Sequence, residues 1–185
     1  ERVLEHVEEL PWSAIGGQDE AVRAIREKIE LPFLHRDLFK QFDHALAWQL
    51  GARLKDCAQQ RGVAITIEIR VGQDTVFFFA MPGTAPANAD WARRKRNCVE
   101  LLHRSSYGVG RSLELEDSSL GAKMGLPLRD YASHGGSFPI KLVGLGCIGV
   151  VTVSGLPQRQ DHGLVVQVLA ELCGVDGSAI ALESP

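Results

Sequence analysis

The stretch from residue 134 to 162 constrains the fold more than any other part of the chain, because two strands and the start of a helix follow one another within it. Residues 138–143 and 147–153 are rich in apolar and β-branched side chains, and the turn at 144–146 separates them. Residues 158–173 then place apolar side chains at helical spacing. The pattern predicts an antiparallel hairpin that leads directly into a helix.

The end of this hairpin and the start of this helix bring a group of chemically distinctive residues together. These candidates for ligand binding are His134, Gly135, Gly136, Phe138, Ser154, Asp161 and His162. The two glycines permit a positive φ or a close approach of another backbone. A neutral His134 imidazole can ligate haem iron or another metal, and a histidine near neutral pH can also transfer protons. The alternative is a structural histidine that bonds to a backbone carbonyl beside the turn.

Catalysis by the other polar residues of this stretch has weaker support. Asp161 and His162 do not pair with each other, because neighbouring residues of a helix point about 100° apart. Asp161 belongs either to the site or to the first helical turn, where the helix dipole favours a carboxylate. Ser154 lies outside any GxSxG nucleophile elbow, which argues against a hydrolase. The six histidines show no HExxH spacing.

A second candidate site lies on the helix predicted over residues 90–103, where four cations follow one another at 93–96. Four consecutive side chains at about 100° per residue cannot share one face, so at least one or two must point toward the protein or along its edge. In the functional interpretation, Arg93 or Arg96 pairs with a carboxylate or phosphate of a ligand near Trp91. In the structural interpretation, the run is a solvated helix surface.

The rest of the pattern predicts helices packed on an antiparallel sheet. Asp43 is a favourable N-cap for a helix that runs to about Gln60, and residues 63–70 alternate as a half-buried strand. After a turn at Gly72, the strand at 75–80 contains three consecutive phenylalanines, which suggest burial on both faces. The order helix, hairpin, helices, hairpin, helix indicates an α+β fold with a central antiparallel sheet flanked by helices.

Between the two hairpins the sequence is less regular. Trp91, Cys98 and Leu102 are expected on the inner side of the cationic helix, because they share one face at helical spacing. Residues 105–107 are expected in an irregular polar segment. A weak helical pattern returns at 118–124 and ends before Pro127.

The composition argues against several classes of function. A net charge of −3 gives no overall reason to expect a nucleic acid as partner. No apolar run approaches the ~20 residues of a membrane span and no signal-peptide pattern is present, so no membrane partner and a cytoplasmic location are expected. The four cysteines form no CxxC pair and are interpreted as buried thiols. Because CxxCH is absent, any haem would bind non-covalently.

Several separated motifs resemble one known superfamily. WARRKRN, SSY, YASHGGSFPI and VSGLPQRQDH occur in the order that is typical of haem-degrading-domain proteins, which include the HbpS and GlcG types and the C-terminal half of PduO. The resemblance covers roughly residues 42–173 and points to a bacterial and fungal branch of undefined activity. It implies a profilin-like α/β/α sandwich that assembles into dimers or larger homo-oligomers.

The same resemblance implies a ligand. Haem is the implied cofactor, with a small anionic metabolite as the alternative, and haem degradation is the implied reaction. His134 is the expected ligand of the haem iron, and His44 and His103 are alternative axial ligands. The competing interpretation is a non-catalytic assembly module that docks a protein partner.

The first 41 residues differ from the domain expected over 42–174 and are predicted to form a helical arm. Residues 8–41 resemble the segment before the phosphate-binding loop of proteasomal AAA-type ATPases. The GxxxxGK[ST] loop that should follow is absent, and without its amides and lysine no ATPase activity is expected. The arm is interpreted either as a helical extension that packs on the domain or a neighbouring subunit, or as a fusion joint that docks a protein partner. Residues 175–185 are interpreted as a mobile tail.

Overall fold

The computed structural model describes residues 39–174, so most of the predicted arm and the predicted tail lie outside the described residues. The elements of the described chain are α1 (His44–Gln60), β1 (Thr66–Val71), β2 (Asp74–Ala80), α2 (Pro86–Leu102), α3 (Ser106–Leu115), α4 (Leu120–Met124), β3 (Ser137–Leu142), β4 (Gly146–Ser154) and α5 (Gln158–Cys173).

The four strands form an antiparallel sheet in the order β2-β1-β4-β3. Both hairpins predicted from the sequence are confirmed, since β1 pairs with β2 and β3 pairs with β4. The hairpins join through β1 and β4, where Ile67 pairs with Val153 and Thr66 with Ser154. The end of β4 therefore lies in the middle of the sheet, directly before α5.

The two faces of this sheet differ in chemistry. One face carries aliphatic and aromatic side chains and packs against α1 and α5 to form the main core. The opposite face is covered by α2 and carries the polar side chains of Thr66, Glu68, Ser137, Thr152 and Ser154. Polar groups pair within this layer, as the hydroxyls of Ser137 and Thr152 do at 2.7 Å. Helices on both faces confirm the predicted α+β sandwich, and they place the cations of α2 against a polar surface.

The helix ends follow from local capping signals. The Asp43 carboxylate accepts a hydrogen bond from the backbone N–H of Leu46 at 2.8 Å, which confirms Asp43 as the N-cap of α1. Helix α5 ends at Gly174, whose φ of 65° suits a residue without a Cβ. Between its ends, α5 buries apolar side chains such as Leu164 and Leu169. Each fully buried side chain of this kind contributes roughly 1.5–3 kcal/mol to folding.

The burial expected for the three phenylalanines of β2 is wrong. Strand β2 is an edge strand, so it has a neighbour on one side only among the described residues. Phe77 packs beside Trp48 of α1, with ring centroids 5.7 Å apart. Phe78 and Phe79 are 53% and 39% exposed. An apolar run indicates burial on both faces only when the strand is central, and strand order is not visible in the local pattern.

Two expectations for the helical layer are also wrong. The segment after residue 104 is helix α3 rather than irregular, and the Ser105 hydroxyl caps it by accepting from the N–H of Gly108 at 3.1 Å. Trp91 is 36% exposed instead of facing inward. Cys98 is buried with α3 residues as expected, and Leu102 packs against the same cluster.

The four cysteines differ in burial. Among the described residues, Cys57 and Cys98 are buried free thiols, which confirms the interpretation for these two; Cys147 and Cys173 are only half-buried, so for them it is wrong. Burial raises the pKa of Cys98 to about 12, so this thiol is not a nucleophile near neutral pH. None of the helices in residues 39–174 has the length and apolar character needed to cross a membrane.

Candidate functional site

A pocket of about 280 Å³ opens where four parts of the chain meet: α2, the loop at Gly135 and Gly136 before β3 (the glycine loop), the end of β4 and the start of α5. Its lining residues are Asn88, Trp91, Lys95, His134, Gly135, Ser154, Gly155, Leu156, Gln158 and Asp161. Five of the sequence candidates are thus brought together: Trp91, His134, Gly135, Ser154 and Asp161. Sequence analysis did not single out Lys95, Asn88 or Gln158.

A buried ion pair forms one wall of this pocket. The Lys95 Nζ donates to Asp161 Oδ2 at 3.0 Å, to the carbonyl oxygen of Gly135 at 3.0 Å and to that of Val153 at 2.6 Å. Three acceptors require three N–H donors, which only the ammonium form of lysine has. Burial lowers the pKa of Lys95 and raises that of Asp161, and their mutual attraction opposes both shifts. The pair therefore remains ionised and joins α2 to β4, α5 and the glycine loop.

The glycine loop packs directly on the start of α5. A Cβ at Gly135 would overlap the carbonyl oxygen of Gln158, so only glycine fits there. The backbone N–H of Gly135 donates to Gln158 Oε1 at 3.3 Å. Gly136 has a φ of 119°, which also favours glycine. The close approach and positive φ expected for these two residues are both confirmed.

His134 presents an exposed imidazole at the mouth of the pocket. Its ring lies 5.0 Å from the Trp91 ring in an edge-to-face arrangement, and the Arg94 guanidinium lies 4.2 Å from the same Trp91 ring. Burial of part of the imidazole, followed by the charges of Lys95 and Arg94, lowers the pKa of His134. The ring is therefore neutral at pH 7. Within residues 39–174 its nitrogens have no hydrogen-bond partner. The alternative role, a structural histidine bonded to a backbone carbonyl, is therefore not observed there.

His134 also borders a second, smaller cavity of about 120 Å³. This cavity shares His134 and Gln158 with the first pocket, and it extends toward α3 and the start of α4. The imidazole thus stands between two cavities. Small-molecule sites commonly measure roughly 300–1,000 Å³, so a large planar ligand would be only partly enclosed by one copy of the described chain.

The residues around His134 would suit haem, whose iron this imidazole would hold. Haem iron takes a neutral imidazole as an axial ligand, and His134 offers one whose nitrogens are unpartnered in the described chain. The adjacent Trp91 supplies an exposed apolar surface of the kind that planar ligands contact. A bare metal ion fits less well, since the described residues contain no group of three histidine, cysteine or carboxylate ligands.

Three other sequence candidates lie outside the pocket lining. His162 is 2% exposed and stacks on Tyr107, with ring centroids 4.7 Å apart, while Phe138 lies in the core 6.1 Å away. Burial lowers the pKa of His162 to about 3, so its ring is neutral. Gly136 lies beneath the lining, against Val153 and Asp161. His162, Phe138 and Gly136 therefore pack behind the pocket and do not line it.

The arginines proposed as an anion site point elsewhere. Arg93 pairs with Asp90 and Asp130, and Arg96 donates to both carboxylate oxygens of Glu68 at 2.7 and 2.9 Å. Carboxylates of the same chain already balance both cations. The expectation that at least one cation of the run turns inward is confirmed by Lys95, which is 2% exposed. The run of four cations indicated that one of them is buried. It did not indicate the partner, because Asp161 is far from Lys95 in sequence.

The alternative histidine ligands are placed away from the pocket. His44 is exposed at the first turn of α1, and His103 is exposed at the C-cap of α2. Neither lines the two cavities described above. Of these three histidines, only His134 borders either of the two cavities.

Comparisons with known proteins agree with the fold and the motifs. The family model described as "Haem degrading protein HbpS-like" matches residues 42–170. A UPF0303 protein of Azotobacter vinelandii is 56% identical over 146 residues, covering 79% of this chain and 88% of its own. A UPF0303 protein of Rhizobium meliloti is 52% identical over 146 residues, covering 79% and 89%.

Solved structures share the architecture at low sequence identity. The crystal structure of Ybr137w has a TM-score of 0.68 at 23% identity, covering 74% of this chain and 80% of its own. The crystal structure of a PduOC:heme complex has a TM-score of 0.60 at 19% identity, covering 71% and 94%. The resemblance of residues 8–41 to ATPases concerns a segment N-terminal to the matched region and stays a prediction. From the family match and the identity to its relatives, the chain belongs to the HbpS-like haem-degrading protein family, together with the UPF0303 proteins.

Proposed function

We propose that the protein binds haem non-covalently at the pocket beside α2, where His134 would hold the iron. The observation that carries the proposal is the state of this imidazole, which is exposed, neutral and unpartnered among the described residues. The family description and the haem-bound structural neighbour support haem as the ligand. When bound, haem would supply redox chemistry at its iron.

The chain's own residues would orient the ligand. The Trp91 ring, held against His134 and Arg94, would contact one side of a planar macrocycle. Lys95 acts as a positioning residue, because it bonds to the carbonyl of Gly135, directly after His134. The lowered pKa of His134 keeps its lone pair available at neutral pH.

A haemin titration followed by Soret absorbance tests this proposal. Wild type is expected to show a saturable shift, and His134→Ala is expected to lose it or to bind at least about tenfold more weakly. His103→Ala is the matched control, because His103 is exposed and lies outside both cavities. Equal binding by wild type and His134→Ala would remove His134 from the site, and no saturable shift in wild type would remove haem as the ligand.

Binding should also depend on pH with a defined sign. Protons compete with iron for the imidazole, so affinity should be constant above about pH 6.5 and fall as the pH drops through the lowered pKa of His134. Loss of the Arg94 charge in Arg94→Gln should raise the pKa of His134 and move the decline in affinity to higher pH.

The same samples, incubated in air with ascorbate, test haem breakdown as a His134-dependent loss of the Soret band.

Self-assembly is a second proposed function, and one observation favours it. The edge strand β2 exposes Phe78 and Phe79, and exposed Trp48 lies beside it on α1. An uncovered apolar edge strand associates readily with another strand. Docking of a protein partner through residues 1–41 stays a prediction.

A further inference from the structure

The side-chain amide and carboxylate oxygens that line the pocket each already accept a hydrogen bond. Asp161 Oδ2 accepts from Lys95, and Asp161 Oδ1 accepts from the backbone N–H of Leu156 at 3.1 Å. The side-chain oxygen of Asn88 accepts from the backbone N–H of Ala85 at 2.8 Å, and the side-chain oxygen of Gln158 accepts from the backbone N–H of Gly135. A ligand that offers only donors would find few acceptors left here.

Several donors in the same pocket are unused within residues 39–174. The Ser154 hydroxyl makes no hydrogen bond there, although Ser154 is only 4% exposed and lines the pocket. The side-chain amide nitrogens of Asn88 and Gln158 also have no partner. The Ser154 Oγ is not fully enclosed by protein, so it faces the open pocket, where a ligand group can complete its hydrogen bond.

The electrostatic field at the inner end of the pocket, where Ser154 meets the first turn of α5, favours an anion. Gln158 and Asp161 belong to the first turn of α5, a helix of 16 residues, and both line the pocket. The N-terminal end of such a helix carries a partial positive charge. The charges of Lys95 and Asp161 balance each other, so their pair does not oppose an incoming carboxylate. Arg94, which lies over the Trp91 ring, adds a positive charge near the pocket mouth.

From this balance of unused donors over acceptors, we infer that the inner end of the pocket, at Ser154 and the first turn of α5, binds a carboxylate group of the ligand. The carboxylate can come from two sources, and the inference rests on the proposed function only for the first of them. The first source is a haem propionate. The second is a small free carboxylate that binds without haem.

Ser154→Ala is the informative variant. The substitution removes an unpartnered hydroxyl, so the melting temperature should stay within a few degrees of the wild-type value. A charge-assisted hydrogen bond is strong enough that its loss should weaken carboxylate binding about tenfold. Ser118→Ala is the comparison, because Ser118 lines the smaller cavity instead.

Two ligand series separate the sources of the carboxylate. Haemin and haemin dimethyl ester, whose propionates are esterified, are titrated into wild type, Ser154→Ala and Ser118→Ala. If a propionate binds at Ser154, wild type prefers haemin about tenfold over the ester, and Ser154→Ala loses this preference while Ser118→Ala keeps it. Succinate, titrated calorimetrically without haem, tests the free carboxylate, whose saturable binding should be lost in Ser154→Ala.

The outcomes distinguish this inference from the proposed function. Succinate binding that depends on Ser154, without any haemin binding, would support the carboxylate site and overturn the proposal that haem is the ligand. Haemin binding that depends on His134, but is insensitive both to esterification and to Ser154→Ala, together with no succinate binding, would overturn the carboxylate site and leave haem intact. A loss of preference in Ser118→Ala alone would place the carboxylate in the smaller cavity and also overturn it.

Discussion

The Lys95 ammonium and the Gly135 carbonyl, 40 positions apart in the sequence, meet at 3.0 Å inside the protein. The same ammonium is paired with Asp161, which is 2% exposed. This arrangement connects the cationic helix to the residue that follows His134. The position of the candidate iron ligand therefore depends on a buried charge in the wall of the pocket.

Removing that charge should be costly. Lys95→Met leaves the Asp161 carboxylate and two carbonyls buried without their donor, and breaking a buried pair from one side typically costs about 3–5 kcal/mol of unfolding free energy. Urea unfolding at neutral pH measures this change. Haemin affinity should also fall, because the glycine loop loses its anchor to α2.

Two variants control this prediction. Lys123→Met removes a lysine whose side chain is 48% exposed and should change the unfolding free energy by less than about 0.5 kcal/mol. Asp161→Asn, introduced into Lys95→Met, should cost less than the sum of the single changes, because the two residues are in contact. Strict additivity would show that the pair is not a unit.

The buried histidine of α5 should make folding sensitive to acid. Burial holds the pKa of His162 at about 3, whereas an unfolded chain binds the proton near pH 6.5. Below pH 6.5 the unfolded state binds more protons, so this residue lowers stability as the pH falls from 6.5 toward 3, by up to about 1.4 kcal/mol per pH unit.

His162→Phe tests this effect, since a phenyl ring can keep the stacking on Tyr107 and removes a buried Nδ1 that has no hydrogen-bond partner. Urea unfolding at about pH 7 and about pH 4.5 should show a smaller loss of stability in the variant than in wild type. Asp161 and Lys95 titrate in both proteins and cancel in the difference. Identical pH dependence in the two proteins would show that His162 does not titrate as its burial requires.

Sequence patterns predicted the elements whose signals are local. Asp43 and Gly174 mark helix ends by capping chemistry that acts within a few residues, and both are confirmed. Helix α3 was missed because Gly108 and Gly110 weaken its helical pattern, although Ser105 was a usable N-cap signal. Gly110 is explained only by tertiary structure, since a Cβ there would overlap the carbonyl of Ser133.

Contacts between distant segments could not be predicted in this way. The run at 93–96 required a cation to point inward, but the choice of Lys95 and its pairing with Asp161 depend on how α2 crosses the sheet. The burial of Phe78 and Phe79 depends on strand order, and the sequence does not state that β2 lies at an edge. Local chemistry thus located the site stretch, while the sheet determined which side chains line it.

The exposed edge strand gives a prediction about assembly. A second copy is a suitable occupant, because antiparallel self-pairing of β2 centred on Phe77 sets Asp74 opposite Ala80 and brings no like charges together. Phe78→Lys should block such pairing and shift sedimentation velocity profiles to smaller species. Leu145→Lys is the control, because Leu145 is 74% exposed in the turn between β3 and β4. A monomeric wild type, or an equal effect of both changes, would contradict pairing through β2.

Two glycines, one in the glycine loop and one in α5, give opposite predictions for the same substitution. Gly135→Ala forces a Cβ against the Gln158 carbonyl, so it should lower the unfolding free energy by about 1–3 kcal/mol and weaken haemin binding at the neighbouring His134. Gly163→Ala, inside α5, places its Cβ in open space and should raise stability by about 0.5–1 kcal/mol through helix propensity. Urea unfolding and the Soret titration measure both effects. If the two variants shift in the same direction, the close packing of the glycine loop on α5 does not hold in solution, and the site built on that contact loses its structural basis.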